Sequence, residues 1–106
     1  MSRKLFLALL VTISLQACTW VKMTSGGEKV RVLSVEEVSS CKKLGITQSF
    51  LKDKIAGVNR NKDKVKKELE TLARNTAADM GGDTIVPTTE IEDGQQSFAV
   101  YKCINP

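Results

Sequence analysis

Cysteine is the residue type in this chain with the most reactive side chain, and its three positions fall into two groups. Cys18 follows an apolar run near the N-terminus, whereas Cys41 and Cys103 lie in the remainder of the 106 residues. The sequence contains no histidine, which is the usual general base and a frequent metal ligand. Triad chemistry and most metal catalysis therefore lack a key group, and the sequence predicts no catalytic residue, no metal site and no cofactor.

The first seventeen residues are typical of an export signal. Arg3 and Lys4 precede the run Leu5–Leu15, which at eleven residues is too short to span a bilayer as a helix and suits the apolar region of a signal peptide. The run closes with Leu15-Gln16-Ala17-Cys18, which resembles the lipobox of bacterial lipoproteins. The resemblance implies cleavage before Cys18 and lipidation of that residue. An ordinary secretory signal followed by a chance cysteine is the alternative.

The signal divides the chain into three parts. Residues 1–17 are the predicted signal peptide, residues 18–28 a lipidated N-terminus with a flexible tether around Ser25-Gly26-Gly27, and residues 29–106 one small α+β domain. Removal of the signal lowers the formal net charge from +4 to +2, so a nucleic-acid partner is not indicated. Thr19 stands where an aspartate commonly retains lipoproteins in the inner membrane, which favours the outer membrane, facing the periplasm.

Cys41 and Cys103 form an even pair in a small chain expected to be exported, which favours a disulfide. Two free thiols and a shared metal ion are the alternatives. The absence of histidine and of a C-x-x-C spacing argues against zinc. A bridge between them would close 63 residues and stabilise the fold by roughly 4 kcal/mol in the chain-entropy model.

Hydrophobic periodicity predicts the order β-β-α-β-β, an α+β fold with one helix packed on a small, mostly antiparallel sheet and one disulfide. The strongest signal is a helix over residues 61–80, with Asn61 as its N-cap and Gly81-Gly82 as its stop. Glu68 and Glu70 fall on its solvent side. The predicted buried face consists of Val65, Leu69, Leu72, Ala73, Thr76, Ala77 and Met80.

Four strands complete the predicted domain. Their ranges are Lys29–Val38, Cys41–Phe50, Asp83–Ile91 and Gln95–Ile104, with turns at Ser39-Ser40 and Asp93-Gly94. Leu51–Arg60 is either a loop or one helical turn. Pro87 requires an edge position or a bulge within its strand, and Phe98 and Val100 should face away from Ala99 and Tyr101.

Three short blocks carry a resemblance to a known family: Cys41-Lys42-Lys43-Leu44-Gly45, the stretch from Leu69 to Ile85, and Tyr101-Lys102-Cys103. Together they resemble the small bacterial lipoproteins known as domain of unknown function 4156, whose members combine C-x-x-L-G, A-A-x-x-G-G-[ND]-T and Y-x-C. The resemblance covers about Val38 to Cys103 and implies a lipoprotein without assigning an activity.

A more distant similarity is to the outer-membrane sensor lipoproteins of the Rcs envelope-stress phosphorelay, which also set a helix against a disulfide-bonded sheet. Those sensors have four cysteines in the domain and a long proline-rich linker. The domain predicted here has Cys41 and Cys103 only, and the predicted tether contains no proline. A sensor of envelope stress is therefore an alternative function rather than the principal one.

A basic cluster precedes and enters the predicted helix. It consists of Lys52, Lys54, Arg60, Lys62, Lys64, Lys66 and Lys67. Its last four members occupy the first two helical turns, where the helix dipole disfavours cations. The cluster is either a solvated surface or a patch for an anionic partner such as lipopolysaccharide, anionic lipid or peptidoglycan, or for an envelope protein.

The acidic residues offer little chemistry. Glu36 and Glu37 are expected to point to opposite faces of a strand, while Glu90 and Glu92 share a face beside the Asp93-Gly94 turn, where carboxylates are usually just solvated. The sequence thus predicts a non-enzymatic lipoprotein, held in the outer membrane by its lipid, with a binding or structural role. A small envelope enzyme is the least favoured alternative.

Overall fold

The computed structural model describes residues 21–51 and 62–106, which form a four-stranded sheet with a helix on one face. The strands are β1 (Arg31–Val32), β2 (Lys42–Phe50), β3 (Thr84–Pro87) and β4 (Gln95–Lys102), and the helix is α1 (Lys62–Asp79). The spatial order is β1-β3-β4-β2. Only the β1–β3 pair is parallel among these strands, so the predicted α+β fold with a mostly antiparallel sheet is confirmed.

Small side chains let α1 lie close to the sheet. Ala73 and Ala77 are fully buried and join Ile85, Phe98 and Val100 in the core. Ile85 is paired with Val100 across β3 and β4, so both side chains lie on the helix side of the sheet. Phe98 and Val100 share one face of β4, as predicted, and the structure shows that this face packs against α1.

The buried stripe of α1 is narrower than the periodicity predicted. Thr76 is exposed and Met80 is 38 % exposed, so both were wrongly placed in the buried face. The fully buried apolar residues of α1 lie at positions 69, 73 and 77, a row in steps of four. The row is narrow because the small sheet covers only one side of the helix. Glu68, predicted on the solvent side, is only 9 % exposed, and Glu70 is half-buried.

The glycine pair ends the helix as predicted. Gly81 adopts a φ of 84°, the left-handed conformation that favours glycine. The Gly81 N–H donates to the Ala78 carbonyl at 3.0 Å, and the Gly82 N–H donates to the Ala77 carbonyl at 2.8 Å. This pair of bonds is the Schellman motif, which satisfies carbonyls left open at a helix C-terminus. Asn61, the predicted N-cap, lies outside the described residues.

The first predicted strand, Lys29–Val38, is wrong over most of its length. β1 contains two residues only, and its ladder ends with the Leu33 N–H, which donates to the Ile85 carbonyl at 3.0 Å. The next rung of a parallel ladder would need an N–H at Pro87, which proline lacks. The strand therefore stops, and Pro87 occupies a position that is locally an edge.

A 3₁₀ helix, Val35–Val38, follows instead of a longer strand. The Glu37 carboxylate accepts hydrogen bonds from the Ser34 backbone N–H at 2.9 Å and the Ser34 hydroxyl at 3.0 Å. These bonds hold the pKa of Glu37 below its ordinary value, helped by the charge of Arg31. A serine followed three residues later by a glutamate is a helix-start signal, and it explains why Glu36 and Glu37 are not neighbours in a strand.

The β3–β4 connection contains a bulge of three residues opposite one. The predicted strand Asp83–Ile91 ends at Pro87, although the Thr88 N–H still donates to the Ser97 carbonyl at 2.9 Å. Pairing resumes only between Glu92 and Gln95, so residues 89–91 stand opposite Gln96 alone. Asp93 and Gly94 have φ values of 51° and 69°, which confirms the predicted hairpin turn.

Residues 22–28, expected in the flexible tether, are held against α1. The Asn75 amide donates to the Lys22 carbonyl at 2.9 Å and accepts from the Thr24 N–H at 2.9 Å. Arg74 donates to the carbonyls of Gly27 at 3.2 Å and Glu28 at 3.0 Å. Gly27 is buried and opens a 3₁₀ helix, Gly27–Lys29, so the segment is an ordered part of the domain and its glycines serve close packing.

Cys41 and Cys103 are joined by a disulfide, as predicted. Cys41 directly precedes β2 and Cys103 directly follows β4, and the adjacent residues Lys42 and Lys102 are paired across the ladder. The bond therefore closes the end of the longest strand pair.

Candidate functional site

The basic residues predicted from the sequence divide between two sides of α1. Lys62, Lys64, Lys66 and Lys67 are all exposed in the first two turns of the helix. Lys52, Lys54 and Arg60 lie outside the described residues. Of these four helix lysines, Lys62 and Lys66 line a cleft between the helix and the sheet, whereas Lys64 and Lys67 do not.

The position of the two cleft lysines follows from helical geometry. Residues three or four positions apart lie on the same side of a helix. From the buried Ala77 and Ala73, such steps towards the N-terminus lead to Leu69, then to Lys66 and then to Lys62. Lys62 and Lys66 thus continue the sheet-facing row of α1 beyond the point where the core ends. Apolar side chains at these positions would extend the core, so lysines there leave a basic opening instead.

This opening, called here the basic cleft, has a volume of about 790 Å³. One wall is α1, with Val65 between the two lysines, and the other wall is residues 87–91, which leave the sheet at the bulge. Gln96 of β4 contributes to its lining. The volume is within the range of sites that bind small molecules.

Gln96 is the most unusual residue of the basic cleft. It is 8 % exposed, and it shares the inward face of β4 with Phe98 and Val100. Its Nε2 donates to the Thr89 carbonyl at 3.1 Å, which fixes the orientation of the amide. Its Oε1 is buried and has no hydrogen-bond partner among the residues that the structure describes. A buried acceptor left in this state costs about 1–3 kcal/mol, and native proteins usually satisfy such groups.

Thr89 holds the opposite side of the bulge in place. Its hydroxyl oxygen accepts the Ser97 N–H at 3.0 Å, while its carbonyl accepts the Gln96 amide. Both contacts tie the irregular segment to β4. The cleft wall is therefore fixed by side-chain hydrogen bonds where the regular ladder is interrupted.

The electrostatics of the basic cleft favour an anion. Two lysines line one wall, and the N-terminal end of α1 adds the positive end of the helix dipole. Glu90 lines the other wall and is the carboxylate among the lining residues. A ligand that meets both walls would therefore place its negative group beside α1.

The predicted pair of carboxylates, Glu90 and Glu92, lines a neighbouring recess of about 380 Å³ together with Asp93. Both glutamates are exposed. Within residues 21–51 and 62–106, no group of three or more histidine, cysteine, aspartate or glutamate side chains is arranged to hold a metal ion.

A second polar cluster surrounds Asp83 at the disulfide. Its carboxylate accepts the Cys103 N–H at 2.8 Å, the Ile104 N–H at 2.8 Å and the Thr84 hydroxyl at 3.0 Å. Burial alone raises the pKa of Asp83, but these bonds and the charge of Lys102 outweigh it and hold the pKa below its ordinary value. The cluster fastens the chain after the helix to the end of β4.

This arrangement gives the family-like blocks a structural explanation. Asp83 belongs to the G-G-[ND]-T block and binds the backbone of the Y-x-C block, which ends in the disulfide. Gly45 of the C-x-x-L-G block lies at a register shift in β2 and faces Met80. These residues stabilise the fold, whereas the basic cleft is built from Lys62, Lys66 and Gln96, outside the quoted motifs.

Gln96 and residues 87–91 were not recognised as site residues from the sequence. One signal was available for Gln96, because it has the same parity along β4 as the inward-facing Phe98 and Val100. A polar residue in such a row indicates either a polar site or an internal partner. The volume of the cleft had no sequence signal, since it depends on how far the helix extends beyond the sheet.

The model of a family described as a domain of unknown function (DUF4156) matches residues 21–103. No curated protein and no solved structure matches the chain. Across the described part of the chain, no helix is both long and apolar enough to cross a membrane.

Proposed function

Because the chain belongs to the DUF4156 family, whose description carries no activity, we propose its function from the residues themselves. It is a lipoprotein of the bacterial outer membrane, anchored through Cys18 and facing the periplasm. Its role is to bind an anionic component of the cell envelope, without catalysis. The observation that carries the binding role is the basic cleft, where Lys62 and Lys66 occupy the sheet-facing row of α1.

Two independent features support the compartment. The N-terminal residues combine a short basic start, an apolar run and a lipobox-like ending at Cys18. The Cys41–Cys103 disulfide belongs to the kind of bond that persists in oxidising compartments such as the periplasm. Thr19 at the position after the lipidated cysteine favours transfer to the outer membrane.

The docked N-terminal segment brings the domain close to its anchor. The sequence alone allowed a tether as long as residues 19–28, with a reach of roughly 35 Å. Because Lys22 is already bonded to Asn75, three residues separate Cys18 from the folded domain. Their fully extended reach is about 14 Å, so lipidation at Cys18 would hold the domain against the membrane surface.

Such proximity makes weak electrostatic binding effective. Surface lysines gain little from a single exposed contact, but a basic face held beside anionic polymers or headgroups experiences a high local concentration of them. This binding should weaken as salt shortens the Debye length from about 10 Å at 0.1 M to about 3 Å at 1 M.

The anchor is tested by the Cys18→Ser variant. Without the thiol that accepts the lipid, the chain should remain as unprocessed precursor and incorporate no labelled fatty acid. The wild-type chain should be processed and labelled, and three acyl chains should retain it firmly in the membrane. Normal processing and labelling of the variant would refute the lipoprotein assignment.

The binding role is tested by charge reversal. Replacing Lys62, Lys64, Lys66 and Lys67 with glutamate should leave α1 folded, because acidic residues suit the N-terminal end of a helix. The full chain in detergent should then lose retention on lipopolysaccharide, anionic phospholipid or peptidoglycan at low salt.

A matched control reverses four exposed lysines elsewhere, Lys22, Lys29, Lys42 and Lys43, with the same change in net charge. This control should retain most of the binding. Equal loss in both variants would show that net charge alone is responsible, and absence of binding by the wild-type chain would refute the proposed role.

An envelope-stress sensor is the second candidate function. It is favoured by the similarity in arrangement noted from the sequence, a helix on a disulfide-bonded sheet, which this domain has. A pull-down from solubilised envelopes distinguishes the two, since a stoichiometric sensor kinase or barrel would indicate signalling, whereas co-purified glycan or lipid would indicate a binding module.

A further inference from the structure

We propose that the basic cleft is a binding site for a short peptide with a free terminal carboxylate. The carboxylate binds Lys62 and Lys66, and a peptide N–H donates to the Oε1 of Gln96. The inference rests on the proposed function only for the compartment, the periplasm, in which the protein would encounter such a ligand. The lining residues on which the argument depends all belong to the described part of the chain.

Gln96 specifies a hydrogen-bond donor in the ligand. Its amide cannot turn over without losing the bond from Nε2 to the Thr89 carbonyl, so the buried atom that this cleft residue leaves unpaired is an acceptor. That acceptor has no hydrogen-bond partner within residues 21–51 and 62–106. A peptide N–H is the complementary group, and its arrival would satisfy an atom that is otherwise buried alone.

The lysines specify the charge of the ligand and its position. Lys62 and Lys66 are four residues apart on one helix, so their side chains start about 6 Å from each other. A carboxylate has two oxygens and can accept hydrogen bonds from two ammonium groups at this spacing. The helix N-terminus contributes additional positive potential at the same wall.

The remaining lining favours a peptide over a sugar phosphate. Val65, Pro87 and Ile91 give the cleft apolar surface between its polar groups. Small aliphatic side chains can rest on such surface, whereas the hydroxyls of a sugar would lose water there without gaining partners. A peptide of a few residues supplies a carboxylate, an N–H donor and aliphatic groups in one molecule, and peptides with this chemistry are part of the bacterial cell wall.

The test uses the full chain in detergent and N-acetyl-trialanine with a free carboxylate as the probe, measured by calorimetry. The same peptide with a C-terminal amide is the matched ligand control and should bind about tenfold more weakly, because it lacks the charge that the lysines recognise. A Lys62→Gln/Lys66→Gln variant should weaken binding of the acid by a similar factor.

The matched protein control is Lys64→Gln/Lys67→Gln, which removes the same charge from the same two turns, outside the cleft lining. It should change the affinity less than about twofold. Gln96→Met keeps the length of the side chain and removes the acceptor, so the affinity of this variant for the peptide acid should fall about tenfold. If Gln96→Met does not fold, chemical-shift changes of Gln96 and Thr89 in the wild-type chain replace it.

The inference would be overturned by absence of binding of the peptide acid, by equal binding of its amide, or by equal losses from the two lysine pairs. Glucosamine phosphate binding more tightly than the peptide would assign the cleft to a different ligand class and also refute it. If the peptide fails while anionic polymers still bind the chain, the peptide site is refuted and the proposed function stands.

Discussion

Replacing Asp83 with asparagine tests the cluster that joins the end of the helix to the disulfide. The carboxylate uses one oxygen for the Cys103 N–H and the Thr84 hydroxyl and the other for the Ile104 N–H, which lies 2.8 Å away. Asparagine keeps the first oxygen and replaces the second with an NH₂ group. Two donors then face each other at Ile104, and a charge-assisted hydrogen bond is lost.

The magnitude follows from that loss. A hydrogen bond to a charged group contributes about 1.5–3 kcal/mol. Because Ile104 is exposed and its N–H can turn to water, we expect the lower part of this range, about 2 kcal/mol. For a domain of this size, such a loss lowers the melting temperature by roughly 8–16 °C.

The pH dependence gives a stricter test than the magnitude. The pKa of Asp83 is lowered in the folded state, so its contribution is present above the unfolded-state pKa of about 3.9 and is lost as the pH falls through the folded pKa. Urea unfolding followed by circular dichroism should therefore show the full difference between wild type and Asp83→Asn at pH 7. The difference should begin to shrink below about pH 4, where the unfolded state takes up a proton, and should shrink further as the pH falls through the lowered pKa of the folded state.

The matched control is Asp93→Asn, which removes the same charge from an exposed residue whose φ is 51°. Asparagine tolerates this conformation, so the free energy of unfolding should change by less than about 0.5 kcal/mol. The reasoning is refuted if Asp83→Asn is as stable as wild type at pH 7, or if its deficit is the same at pH 7 and at pH 3.

Two further predictions concern packing and covalent stability. Gly82→Ala would place a Cβ 2.6 Å from Cγ1 of Val100, so we expect destabilisation of about 1–3 kcal/mol in urea unfolding. Combining it with Val100→Ala should cost less than the sum of the two single changes, and strict additivity would contradict the clash. Removing the disulfide with Cys41→Ser/Cys103→Ser should cost about 2–5 kcal/mol in the same assay, and an unchanged melting temperature would contradict this role.

Local signals in the sequence account for much of the fold. The helix over Lys62–Asp79, its glycine stop and the Asp93-Gly94 turn were predictable because each depends on a few consecutive residues with restricted backbone preferences. The disulfide was predictable for a different reason. An even pair of cysteines in a small exported chain has few other uses.

The errors have equally specific causes. Lys29–Val38 has the composition of a strand, but the Ser34–Glu37 bonds and the missing N–H of Pro87 end β1 after two residues. Residues 22–28 look like a flexible linker, yet Asn75 and Arg74, about fifty positions later in the chain, bond their backbone. A contact over such a separation has no local signal.

The sequence by itself determined which residues are basic, where the apolar periodicity of the helix lies and which cysteines are available for a disulfide. It could not separate Lys62 and Lys66 from Lys64 and Lys67, because the direction of each side chain has meaning only once the sheet beneath the helix is placed. Tertiary structure alone decided that two of these lysines line a cleft together with the buried Gln96. The physical reason is that a binding site depends on the space left between elements, which is set by where β3 leaves the sheet and how far α1 extends past the core.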